Sequence, residues 1–112
     1  MNPFKYIYRA IVANISYINA RRKAEKQAKL YGYRQYVIVL KDRRLVVGDK
    51  KGISVLQWKT RDKGTKLKRP TVTLLQQAAI YYTAYSDGNG RMQLAVQNER
   101  RKMYVKMYIH KD

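Results

Sequence analysis

His110 is the only histidine in the 112-residue sequence, so a histidine-based triad or metal cluster would have to be built around one side chain. Cysteine is absent, which removes thiolate nucleophiles, thiolate metal sites and disulfides together and points to synthesis in a reducing, intracellular setting. The seven acids are Glu25, Asp42, Asp49, Asp62, Asp87, Glu99 and Asp112. They fall in predicted turns or beside basic residues, and no local spacing pairs two of them for hydrolysis or for a divalent metal. Gly88-Asn-Gly90 lacks the Lys-Ser/Thr and the helix that a phosphate loop requires, and Lys63-Gly-Thr-Lys66 lacks the earlier glycine. The sequence therefore predicts no enzyme, no cofactor, no metal and no small-molecule substrate.

The chemistry that the residues do offer is charge. Lys and Arg number 25 against 7 acids, a net charge of +18, and a fold this small repels itself unless a partner neutralises it. Nucleic acid, an anionic membrane surface or an acidic protein face could each do so. Residues 21–69 hold 17 basic against 4 acidic side chains, while 1–20 hold 2 basic and no acidic ones and 70–112 hold 6 against 3. The expected polyanion-binding residues are Arg21, Arg22, Lys23, Lys26 and Lys29 in a helix and Arg43, Arg44, Lys50 and Lys51 at turns. Lys59, Arg61, Lys63, Lys66, Lys68 and Arg69 continue the set in a basic segment. Such side chains track phosphates with little sequence preference.

The elements that must position these cations follow from pattern. Asn2 and Pro3 form a helix start. Phe4, Tyr8, Ile11, Ile15 and Ile18 then repeat at alternating spacings of four and three, the seam of an amphipathic helix and an expected interface. Ala20, Ala24 and Ala28 continue the helix to Gly32, a helix-ending residue. The apolar run Phe4 to Ala20 is broken by Lys5, Arg9, Asn14 and Asn19, which is wrong for a spanning helix or a signal peptide's apolar stretch, so neither membrane insertion nor export is expected. Tyr36 to Leu40 and Leu45 to Val47 read as a β-hairpin around Asp42-Arg-Arg44. Residues 48–52 read as a turn, and Ile53, Val55, Leu56 and Trp58 as a third apolar segment that suits a strand or a short helix, with the strand favoured.

Beyond the basic loop at 59–70, Thr73 and Gln76 have capping-box spacing for a short helix through Ala79. A strand from Ile80 to Tyr85, a turn at Asp87-Gly-Asn-Gly90, and alternating residues Met92–Val96 and Met103–Ile109 then read as a three-stranded antiparallel meander. In that meander Tyr104 and Tyr108 face away from the Met/Val/Ile side. With Lys106, His110, Tyr81, Tyr85, Arg91 and Gln93 they offer either a base-stacking platform or a face for a neighbouring subunit. The Gly-Phe-rich pattern of an RNA-recognition sheet is missing.

The expectation is a single α+β domain over 1–112: a helix at 1–31, a hairpin and third segment at 33–58, a basic loop at 59–70, and a short helix with the meander at 71–112. With 46% hydrophobic residues the chain is rich enough in apolar side chains to fold.

The segments AEKQA at 24–28, YGYRQYVI at 31–38 and LVVGDKKGI at 45–53 resemble small basic proteins of phages that infect gut Bacteroidota, crAss-like phages among them. The resemblance covers roughly residues 20–58. It implies a virion role, as a minor head or head-tail component that packs on other virion subunits beside packaged DNA, with the host cytoplasm as the site of synthesis. A free nucleic-acid-binding protein, regulatory or ribosome-associated, is the alternative expectation.

Overall fold

The computed structural model describes residues 2–60 and 71–111. The basic segment expected at 59–70 therefore lies outside the described residues from Arg61 onward, and Lys59 stands in the last turn of a helix.

The chain is mixed α+β. Helix α1 (Pro3–Tyr31) begins where Asn2 Oδ1 accepts the Phe4 N–H at 2.9 Å, and ends at Gly32, whose φ of 75° lets its N–H return to the Ala28 carbonyl. Its buried residues are Ala13, Tyr17, Ala20 and Ala24, at spacings of four, three and four. Three of the four are alanine, so the backbone can approach its neighbours closely. Strands β1 (Tyr36–Val39) and β2 (Leu45–Gly48) form the expected hairpin, with Val37 opposite Val47 and Val39 opposite Leu45.

The third segment is a helix, α2 (Lys50–Thr60), the second of the two forms expected for it, and it also takes in part of the expected turn at 48–52. The reason is local: Asp49 Oδ1 accepts the Gly52 N–H at 2.7 Å and its carbonyl accepts from Ile53, which starts a helix inside the apparent turn. Helix α3 (Val72–Ala78) is capped by Thr71, whose Oγ1 accepts the Leu74 N–H, instead of by Thr73. Strand β3 (Tyr81–Tyr82) pairs antiparallel with β1, giving the sheet order β2-β1-β3. The expected strand through Tyr85 is shorter, although Thr83 and Gln35 prolong the pairing with two further hydrogen bonds.

The C-terminal meander is not formed: Leu94–Ile109 is one helix, α4. Met103, Val105, Met107 and Ile109 alternate as a strand would, but 97–102 contains no glycine or proline to turn the chain and is rich in good helix formers. Gln97, Arg101, Tyr104 and Tyr108 share a helical face, and Gln97 and Tyr104 are its buried members. The reversal is complete at Met103 and Met107, which are exposed, and at Tyr104, which is 1% exposed.

Three layers result. Val37, Val39, Leu45, Val47 and Tyr81 pack against α1 and α4 on one face of the sheet, while Tyr36 and Ile38 pack with Ile53 of α2 and Leu75 of α3 on the other. Arginines tie the helix ends into this frame. Arg9 donates to the carbonyls of Ile109 (2.7 Å) and Lys111 (2.8 Å) at the end of α4. Arg100 donates to Gln76 and Ala79 at the end of α3. Cations at C-terminal carbonyls satisfy orphan acceptors and oppose the helix dipole.

Candidate polyanion-binding groove

A groove of about 590 Å³ opens where α1, the β1–β2 turn and the end of α4 meet. Lys23 projects into its wall from α1, beside Ser16, Asn19 and Ala20, because these four share the flank of the helix next to the core face. Arg43 and Arg44 come from the hairpin turn, and Lys111 follows α4. Four cations from three elements thus line one opening, with Asp42 as the one carboxylate among the described residues of the wall. Asp42 is already engaged: it accepts from the Arg44 backbone N–H at 3.0 Å and pairs with the Arg44 guanidinium on the exposed rim. Those bonds hold its carboxyl below the usual range.

Tyrosines make the floor. Tyr104 is buried and its hydroxyl donates to the Arg43 carbonyl at 3.4 Å; burial, and secondarily Tyr108, push its pKa up. Lys111 Nζ lies 4.0 Å from the centre of the Tyr108 ring, a cation–π contact that holds the amine at the edge. Arg43 is the unusual member. Its φ is 71°, left-handed backbone that non-glycine residues adopt at a cost, and its buried Nε meets no hydrogen-bond partner among the described residues. Arg43 therefore adds its charge to the wall of the groove at a backbone cost, while its Nε is enclosed by the protein.

No protein-family model, curated protein or solved structure matches this chain.

The other expected residues distribute unevenly. Arg22, Lys26 and Lys29 are exposed on the outward side of α1, Lys50 and Lys51 are exposed at the start of α2, and Lys59 at its end. Arg21 is drawn inward, 4.9 Å from the centre of the Tyr81 ring. Arg61, Lys63, Lys66, Lys68 and Arg69 lie outside the described residues. The interface set Phe4, Tyr8, Ile11, Ile15 and Ile18 stands exposed on α1, opposite its core face.

Tyr104 and Tyr108 do not form an outward sheet face, because they belong to a helix whose tyrosine side turns toward α1 and the hairpin. The stacking platform is dispersed as well. Tyr81 is buried, with its hydroxyl on Glu25, and burial first and Glu25 second raise its pKa to about 12. Tyr85 is covered by the Arg34 guanidinium at 3.7 Å.

Sequence reasoning missed Lys111, Ser16 and Asn19 as groove residues. Ser16 and Lys111 are far apart in the chain, so only the packing of α4 on α1 brings them together. His110 lies outside the groove, exposed and edge-on to Tyr6. Among the described residues no three His, Cys, Asp or Glu side chains gather as metal ligands, and no helix is long and apolar enough to cross a membrane.

Proposed function

We propose that this chain is a non-enzymatic structural protein of a phage virion, a minor head or head-tail component that presents its basic groove to DNA and packs on other subunits through α1. The observation that carries the DNA-facing part is the convergence of Lys23, Arg43, Arg44 and Lys111 on one groove where Asp42, the one carboxylate among the described residues of its wall, is already paired with Arg44. Phosphodiester oxygens are the ligands that such a wall accepts, since they need charge and N–H donors but no base-specific geometry. The exposed cations Arg22, Lys26 and Lys29 extend the same field along α1. No cofactor, metal or small-molecule substrate enters this reading.

The virion setting rests on the resemblance over residues 20–58, which takes in the groove's α1 and hairpin walls, and on the uncovered apolar face of α1. A free nucleic-acid-binding module is the second reading, and that face argues against it: a self-sufficient binder has no use for a helix side of exposed Phe, Tyr and Ile.

Fluorescence anisotropy with duplexes of unrelated sequence tests the proposal. Affinities should agree across sequences and fall about a hundredfold between roughly 50 and 200 mM salt, the slope for about four phosphate contacts. A salt-independent affinity, or no binding at low ionic strength, would overturn the nucleic-acid reading in favour of an acidic protein partner.

A further inference from the structure

The outward line of α1 changes character along its length. Phe4, Ile7, Tyr8, Ile11, Ile15 and Ile18 are between 44% and 79% exposed. At about 100° per residue, Ile11 and Ile15 stand nearly diametrically across the helix from Ala13 in the core. The same line then continues as Arg22, Lys26 and Lys29, all exposed. Apolar for its first half and cationic for its second, this face is covered by none of the described elements.

We infer that the apolar half pairs with its own counterpart in a second copy of the chain, antiparallel and centred on Ile11. The inference deepens the reading of α1 as a protein-packing face by naming its occupant. Alternating spacings of four and three suit another helix, since each side chain then fits between residues of the facing one. The exposed stripe amounts to on the order of 600 Å², near the roughly 800 Å² that each partner of a stable complex buries.

Charge selects the partner and the direction. No cation lies in the stripe for an acidic helix to match: Arg9 is spent on the end of α4, and Lys5 sits on the flank. A parallel pair would place Arg22, Lys26 and Lys29 beside their own copies. An antiparallel pair centred on Ile11 sets Phe4 against Ile18 and carries Arg22 past the partner's first helical residue, so the two cationic ends leave in opposite directions. At 1.5 Å per residue Lys26 lies about 22 Å from the centre, so the cationic ends stand roughly 45 Å apart. Two grooves and two cationic ends then bind one duplex with avidity.

Sedimentation equilibrium from nanomolar protein to the solubility limit should show a monomer–dimer equilibrium, which Ile11→Asp shifts at least tenfold toward monomer. At concentrations where both chains are monomeric, its circular dichroism and melting should match the parent, because Ile11 points away from the core. Absence of cysteine allows a second, milder test. Phe4→Cys and Ile18→Cys chains, mixed and gently oxidised, should cross-link to one another in preference to themselves. A parent chain that stays monomeric at every concentration, or self-linking of Phe4→Cys and of Ile18→Cys, overturns the inference. Duplex binding separates this from the functional reading: monomeric Ile11→Asp should keep a steep salt dependence with at least tenfold weaker affinity. A dimer without DNA binding would refute the nucleic-acid reading alone.

Discussion

Arg34 and Arg43 sit at opposite ends of the first hairpin, and each carries buried guanidinium nitrogen without a hydrogen-bond partner among the described residues. Their surroundings differ. Arg34 is 5% exposed and lies between ring faces, 3.7 Å from the centre of Tyr85 and 4.8 Å from that of Tyr82, with Nη2 donating to the Gly90 carbonyl. Aromatic π density meets its charge, and no room is left for an outside anion. Arg43 instead lines an open groove with three other cations. The Arg34 charge is thus enclosed whereas the Arg43 side chain borders an opening, and enclosure, not the number of arginines, separates the two.

The largest effect should come from disturbing the enclosed end. Gly90 has a φ of 73°, and a Cβ placed there would meet Arg34 Nη2 and come within 3.0 Å of the Tyr85 ring. Gly90→Ala should therefore cost about 2–3 kcal/mol in urea unfolding, from left-handed strain and overpacking together, while the fraction still folded binds duplex DNA normally. An equal loss of DNA affinity at full folding would place Arg34 in the binding surface and erase the contrast.

At the open end the pattern should invert. Replacing Lys23, Arg43 and Arg44 together by Ser should weaken binding at low salt by about a hundredfold and reduce the salt slope by about three, one for each phosphate contact removed. The melting temperature should move only a few degrees. Unfolding of this variant at room temperature would show that the groove cations belong to the frame.

Alkaline pH probes what both ends share, their buried tyrosines. Tyr17, Tyr36 and Tyr104 are raised above 10 chiefly by burial, and Tyr81 reaches about 12. Between about pH 10 and 12 the unfolded chain ionises Tyr81 while the folded one keeps its proton, so stability is intact below 10 and is lost as pH rises through that window. Tyr81→Phe should flatten the decline, as read by denaturant midpoints at a series of pH values. An unchanged slope would mean that the Tyr81 site does not discriminate against phenolate.

The helix start at Asn2, its end at Gly32 and the first hairpin are legible because each depends on residues within a few positions of one another. The three-layer order is not legible in that way, because it depends on which face of α1 turns inward. The Phe/Tyr/Ile seam is the stronger hydrophobic signal, yet small Ala13, Ala20 and Ala24 are what let the helix approach α4 and the sheet. The C-terminal half misleads for a related reason: Met103, Val105, Met107 and Ile109 satisfy a period of two, while Gln97, Arg101, Tyr104 and Tyr108 satisfy the helical one, and tertiary burial of Tyr104 selects the latter. The cations of the groove are mostly recognisable as a class in residues 21–44. Their convergence with Lys111 is not, since it is created by the packing of the misread helix.

The smallest expected effect is the most discriminating, because it separates backbone from side chain at one residue. Lys41, Asp42 and Arg43 form a three-residue hairpin loop closed by Arg43 N–H to the Leu40 carbonyl (2.9 Å) and Leu40 N–H to the Arg44 carbonyl (2.8 Å). The last residue of such a loop is left-handed, and glycine is favoured there. Arginine in that conformation costs about 1 kcal/mol relative to glycine, partly offset by the greater freedom glycine has in the unfolded chain. Arg43→Gly should therefore leave stability unchanged or raise it by up to about 1 kcal/mol, with the Tyr104 bond to the residue 43 carbonyl retained. Duplex affinity at low salt should nevertheless fall about tenfold, and the salt slope by about one. A destabilised variant with undiminished DNA affinity would make Arg43 a second Arg34, a cation kept for the fold. A stable variant with weakened binding would instead show a backbone strain maintained for the sake of the side chain it carries into the groove.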